Sequence, residues 1–168
     1  MQRLVHIASV ALLGILLAAC SVAVPLQNGS SGPIKPGDKV GDVTVTQGEG
    51  DDILYQWDDA CTAVGDFEGT CTASVGQRAN VSMGVFDETF SGKLDELWAA
   101  HTYEMSIDDR PVDLKAFGSV DVAHPMVLSL RAWNVVLVAD KPAQVEVQSK
   151  GVVHGEPFTQ TLTYTFSQ

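Results

Sequence analysis

Three kinds of residue in this chain could do chemistry, and the spacing of each limits what that chemistry is. Cys20 ends an apolar run over residues 4–19, whereas Cys61 and Cys71 lie in a polar stretch. Their separation is too wide for the C-x-x-C of a redox dithiol. Residues 62–70 between them include Gly65, Asp66, Glu68 and Gly69, a stretch able to turn back on itself. A structural disulfide is therefore expected, and closing so short a loop stabilises by roughly 2–3 kcal/mol in the chain-entropy picture. Two acidic pairs, Asp51-Asp52 and Asp58-Asp59, flank a short strand expected at residues 53–57. They form a weak candidate cation site, with calcium as the ion. No segment has the alternating acids and glycine turn of an EF-hand, and solvated turns are the plainer reading.

Histidine and serine offer less. His101, His124 and His154 lie in separate segments, with no H-E-x-x-H or closely paired ligand spacing to make a zinc site. Apolar alternation through Ala99, His101, Tyr103, Met105 and Ile107 turns His101 toward a core, where one hydrogen bond would satisfy it. The nearest approach to a nucleophile elbow, Thr72-Ala73-Ser74-Val75-Gly76, lacks the first glycine and the α/β setting that motif requires. No catalytic residue, cofactor or resident metal is expected, and the chain reads as non-enzymatic. Among the aromatics, Trp57 and Trp133 fall on strands and are expected to fill a core. Trp98 is the candidate ligand contact.

The N-terminal segment supplies an address. Met1-Gln2-Arg3 and the apolar run that follows have the form of a secretory leader, too short and poorly flanked for a membrane span. The stretch Leu17-Ala18-Ala19-Cys20 resembles the lipobox of bacterial lipoproteins. That resemblance implies lipidation of Cys20 by diacylglycerol, cleavage before it, and acylation of the new amino group. With roughly 0.8 kcal/mol per buried CH₂, several acyl chains hold a protein permanently. An ordinary cleaved signal or an N-terminal anchor helix is the alternative. Ser21 stands where, in that family, an aspartate would retain the protein at the inner membrane. The expected location is therefore exported, lipid-anchored to a bacterial membrane and facing outward, on the outer membrane where the host has one.

Charge narrows the partners. The chain carries 10 basic and 21 acidic residues, a net charge of −11, and every acid lies at or beyond Asp38. Loss of Arg3 with the leader makes the mature chain one unit more negative. Such a surface repels nucleic-acid phosphates and anionic lipid alike, so no nucleic-acid partner is expected and membrane contact is confined to the lipid. An envelope protein or a glycan remains as the partner class.

The elements that would position these residues are strands. Val43 and Val45 alternate with threonines, Val145 and Val147 with polar residues, and Leu162, Tyr164 and Phe166 with threonines again. Residues 133–138, Trp-Asn-Val-Val-Leu-Val, are apolar on both faces and predict a central strand. Asp108-Asp109-Arg110-Pro111 and Asp140-Lys141-Pro142 predict turns. Leu94, Leu97 and Trp98 after Ser91 predict at most one short helix near residues 93–98, giving way to a strand from about Ala99.

The expected fold class is all-β: an antiparallel β-sandwich of immunoglobulin-like type with seven or eight short strands. The expected organisation is a leader at 1–19, lipidated Cys20 with a flexible tether to 37, and one domain over 38–168. As a flexible coil the tether would hold the domain on the order of 20 Å from the bilayer. Residues 98–118 together with 131–137 are similar to stretches of uncharacterised exported bacterial proteins to which no activity is attached. The expected role is a non-catalytic binding or structural module displayed at the membrane surface. A carbohydrate or small-ligand binder, with or without calcium, is the alternative, and a small envelope hydrolase the third reading.

Overall fold

A computed structural model of the chain describes residues 32–50, 52, 61–63, 68–87, 92–124, 128–153 and 155–168. The leader, Cys20 and the tether up to Ser31 lie outside the described residues, as do Trp57, Asp51, Asp58, Asp59 and His154.

Among the described residues, eleven strands and two short helices form an all-β sandwich of two sheets. The first sheet contains β1 (Lys39–Val40), β2 (Val43–Gln47), β5 (Arg78–Asp87), β8 (Ser119–His124) and β9 (Leu128–Ala139). The second runs in the order β3 (Cys61–Ala63), β4 (Glu68–Ser74), β11 (Glu156–Ser167), β10 (Ala143–Val153), β6 (Thr102–Ile107) and β7 (Arg110–Pro111). Helix α1 (Leu94–Ala100) joins β5 to β6, and α2 (Leu114–Phe117) joins β7 to β8.

Strand β9 is the central strand that the apolar run predicts. β5 pairs with it along one edge, while β8 and then β2 share the other. Its residues Val135, Leu137 and Ala139 meet Ile107, Val147 and Phe166 from the second sheet in one core, every one of them at most 1% exposed. Burying an aliphatic or aromatic side chain of this size contributes roughly 1.5–3 kcal/mol. The alternating valines fall where their period places them: Val43, Val45, Val145 and Val147 are all buried.

The disulfide Cys61–Cys71 is formed, with an S–S distance of 2.05 Å. The two residues face each other across the antiparallel β3–β4 pair, so the bridge lies within one sheet. One pairing is parallel: β4 runs alongside β11 from Thr161↔Glu68 to Ser167↔Ser74.

Four details differ from the sequence expectation, the first being eleven strands among the described residues where seven or eight were expected. The helix continues to Ala100, and the strand begins at Thr102. The apolar alternation that suggested a strand from Ala99 coincides with one helical turn that has apolar residues of its own. A second helix, α2, follows β7, where the four-residue span is too short to show a period. Ile34, assigned to the tether, is fully buried and bridges Val112 in parallel, its N–H donating to Pro111 O at 2.8 Å. The Arg110 guanidinium adds hydrogen bonds to Lys39 O at 3.0 Å and Gly32 O at 3.3 Å. The ordered domain thus reaches back past Asp38 to Gly32.

Among the described residues β5 is the outermost strand of the first sheet, and two of its carbonyls are capped from the opposite sheet. Tyr164 donates its hydroxyl to Asn80 O at 3.0 Å and Tyr103 to Gly84 O at 2.7 Å. Such caps remove the exposed carbonyls through which an edge strand recruits another chain. Burial pushes both phenols up, Tyr103 to about 12. Gly84 is required at its position, because a Cβ there would collide with Arg131 O and Ala132 on β9.

Candidate functional site

The candidate site gathers around Trp133, at the point where β9 changes character. Trp133 is half-buried, and its ring meets that of Trp98 on α1 at a centroid distance of 5.0 Å and a tilt of 50°. Tyr103, at the start of β6, lies 6.3 Å from Trp98 and 6.1 Å from Phe158 on β11. His101 stacks on Tyr103 at 6.2 Å, and one of its ring nitrogens contacts Leu97 O. It is a half-buried residue at the C-terminal cap of α1, not the strand residue facing the core that alternation suggested. The tilted and stacked contacts are those that the quadrupoles of aromatic rings favour.

Arg131 ties this cluster to the first sheet. Its guanidinium makes a bidentate pair with Asp121 on β8, at 2.6 and 2.8 Å, and a third bond to Asp95 on α1 at 2.6 Å. The carbon at its centre lies 6.0 Å from the Trp98 ring centroid. Hydrogen bonding to Asp121 and Asp95 raises the Arg131 pKa, and the same bond lowers that of Asp121. The arginine side chain is 21% exposed against 55% and 87% for its partners, so solvent screening keeps the stabilisation near about 1 kcal/mol. Its effect is to hold the short helix, and Trp98 with it, against the end of β9.

Beside the cluster runs a groove of about 570 Å3. Its walls are β6, the β6–β7 turn, the start of α2 and the outward face of β10, with Tyr103 and Trp133 as its aromatic lining. The turn is a two-residue hairpin in which Asp108 and Asp109 both take positive φ, 45° and 62°. Aspartate tolerates that conformation and suits the twist of a hairpin. Asp108 fixes the turn through its carboxylate, which accepts the Glu146 N–H at 2.8 Å. Polar side chains line the groove in both senses: Asp109 and Asp113 as acceptors, Lys115 and Lys150 as donors, and Gln148 as either. Lys150 pairs with Glu104 at 3.0 Å. Asp113 precedes α2 yet makes no side-chain cap.

The other sequence candidates are distributed elsewhere. The Asp52 carboxylate is engaged by Arg78, at 2.8 and 3.0 Å, and accepts the Glu49 N–H at 2.7 Å. Bonding to Arg78 lowers its pKa. A cation site built on the two acidic pairs would have to compete with that arginine. Among the described residues, no three or more His, Cys, Asp or Glu side chains form a group able to hold a metal. Trp98, the candidate ligand contact, is half-buried against Trp133 and Tyr103 and does not line the groove itself. Trp133, expected to fill the core, packs against it and, of the two described tryptophans, is the one that also lines the groove. Sequence reasoning missed the groove because its walls come from residues 103–115, 133 and 148–150. The available signal was the pair of charges Asp113 and Lys115 set singly among Val112, Leu114, Ala116 and Phe117, just after the Asp108-Asp109 turn.

Comparison of the chain with protein-family models, with curated proteins and with solved structures returns no match.

Proposed function

We propose that this chain is an exported, lipid-anchored envelope protein whose sandwich serves as a non-catalytic binding module, with the groove beside Trp133 as its binding face. The observation that carries the binding role is the groove: a half-buried tryptophan next to hydrogen-bonding side chains of both kinds. Ligand sites commonly combine apolar walls with a few converging polar groups. The disulfide Cys61–Cys71 supports export, since such bridges persist in oxidising compartments. The anchor rests on Leu17-Ala18-Ala19-Cys20.

Mass spectrometry of the protein from the envelope of its native host tests the address. The expected product begins at Cys20 and carries acyl chains on that residue, with Cys61 and Cys71 joined. Cys20→Ala should abolish lipid labelling and release the chain from the membrane fraction. A cytosolic product that retains its leader and an unmodified Cys20 would overturn the reading.

A further inference from the structure

We infer that the groove beside Trp133 takes a neutral oligosaccharide. The inference deepens the binding role proposed above and depends on neither the leader nor the lipid. Three features of the groove point to this ligand class.

The first is shape and surface. A pyranose ring presents a face of C–H bonds and a rim of hydroxyls, so a site for it combines an aromatic surface with polar side chains around it. Tyr103 and Trp133 supply the aromatic surface. The Tyr103 hydroxyl is already committed to Gly84 O, which leaves its ring as the part available for contact.

The second is hydrogen-bonding sense. Neighbouring sugar hydroxyls donate and accept at once, and are best met by acceptors and donors placed together. Asp113 supplies acceptors, Lys115 donors and Gln148 both. Among the described residues these three side chains form no hydrogen bond or ion pair that a ligand would have to displace.

The third is charge. Both signs line the groove, and the one lysine on β10 is neutralised by Glu104. An anionic ligand would meet Asp109 and Asp113 within a chain of net charge −11. A cation would meet Lys115. An uncharged polar ligand meets neither penalty.

The position of the groove is consistent with a ligand near the membrane. Gly32 and Ile34 are strapped to Arg110, Pro111 and Val112, and the last two of these line the groove. The twelve residues 20–31 can span at most about 40 Å. An anchored protein therefore keeps its groove within reach of glycans at the envelope surface.

The test uses the full chain in detergent, titrated with maltotriose, cellotriose, chitotriose and mannotriose, with trigalacturonic acid as the anionic comparison. Tryptophan fluorescence in a Trp57→Phe background reports on the Trp98–Trp133 pair. A saturable change with at least one neutral trisaccharide is expected. Asp113→Ala and Gln148→Ala should each weaken it about tenfold, the loss of one hydrogen bond to a hydroxyl. Both side chains lie at the surface of the groove, and an unchanged thermal melt shows that each variant is folded. The inference fails if none of the four neutral sugars gives a saturable change, if both folded variants bind like the parent, or if the anionic sugar binds more tightly. Failure of this titration leaves the Cys20 measurement standing, and an absent lipid leaves the titration standing.

Discussion

The two halves of β9 solve different problems with one strand. In the half paired with β2, Val135, Leu137 and Ala139 are all 0% exposed, closed off by both neighbouring strands and by the second sheet, and Val136 on the opposite face is also 0% exposed. In the half paired with β8, Leu130 and Ala132 remain buried on one face, whereas Arg131 and Trp133 occupy the other and stay partly open. The inward face thus changes from aliphatic side chains to a cation and an indole within five residues. Aliphatic residues fill space and nothing more. A half-buried tryptophan and an arginine bridging two carboxylates hold a surface in place and leave part of it free. The difference separates the part of the molecule that makes it fold from the part that can recognise something.

That contrast can be broken most sharply by truncation. Leu137→Ala should cost about 3 kcal/mol in urea denaturation, because the surrounding core cannot collapse into the space left behind. Arg131→Ala should cost about 1 kcal/mol, since its partners are well exposed. Equal costs would mean that both halves of β9 are core.

Removal of the disulfide by Cys61→Ala with Cys71→Ala should cost roughly 2–3 kcal/mol, read in the same assay with and without reductant. It should leave the fluorescence response of the groove to a neutral trisaccharide intact, because neither cysteine lines the groove.

Tyr164→Phe should lose about 1 kcal/mol with the hydroxyl that caps Asn80 O. The partner phenol, Tyr103, has its pKa raised in the folded state to about 12. Its stabilising contribution is therefore complete below the ordinary tyrosine value of about 10 and fades as pH climbs from there toward 12. Melting temperature measured from pH 8 to 12 should fall over that upper range, and less steeply in Tyr103→Phe.

The smallest effect belongs to the Arg78–Asp52 pair. Asp52→Asn should cost below about 1 kcal/mol at neutral pH. The Asp52 pKa is lowered from its ordinary 3.8, so the contribution is present above that value and disappears as pH falls through and beneath it. The gap in melting temperature between parent and variant should accordingly close in strong acid.

The sequence makes the strands legible and the site obscure, for one physical reason. A strand with one buried face repeats every two residues, so Val145 and Val147, or Tyr164 and Phe166, declare themselves locally. The continuous apolar run at 133–138 likewise marks the central strand, and the pairing of Cys61 with Cys71 is legible from their spacing and the turn-forming residues between them. The parallel pairing of β4 with β11 joins residues some ninety positions apart, and nothing local encodes it. The groove is of that second kind. Trp133 reads as core because its neighbours are core, and it does pack against them, but it also lies on the wall of a groove shared with the start of α2 and the β6–β7 turn. Ile34 was hidden among the prolines and glycines that made its surroundings look like a tether.

An amide chemical-shift map of the full, isotopically labelled chain in detergent, taken as the tightest-binding neutral trisaccharide is added, tests the separation of fold from site most directly. The account predicts shifts confined to residues 103–115, Trp133 and Gln148–Lys150, with Val135–Ala139 and β2 unmoved. Shifts spread over β2 and the C-terminal half of β9, or an unchanged groove, would contradict it.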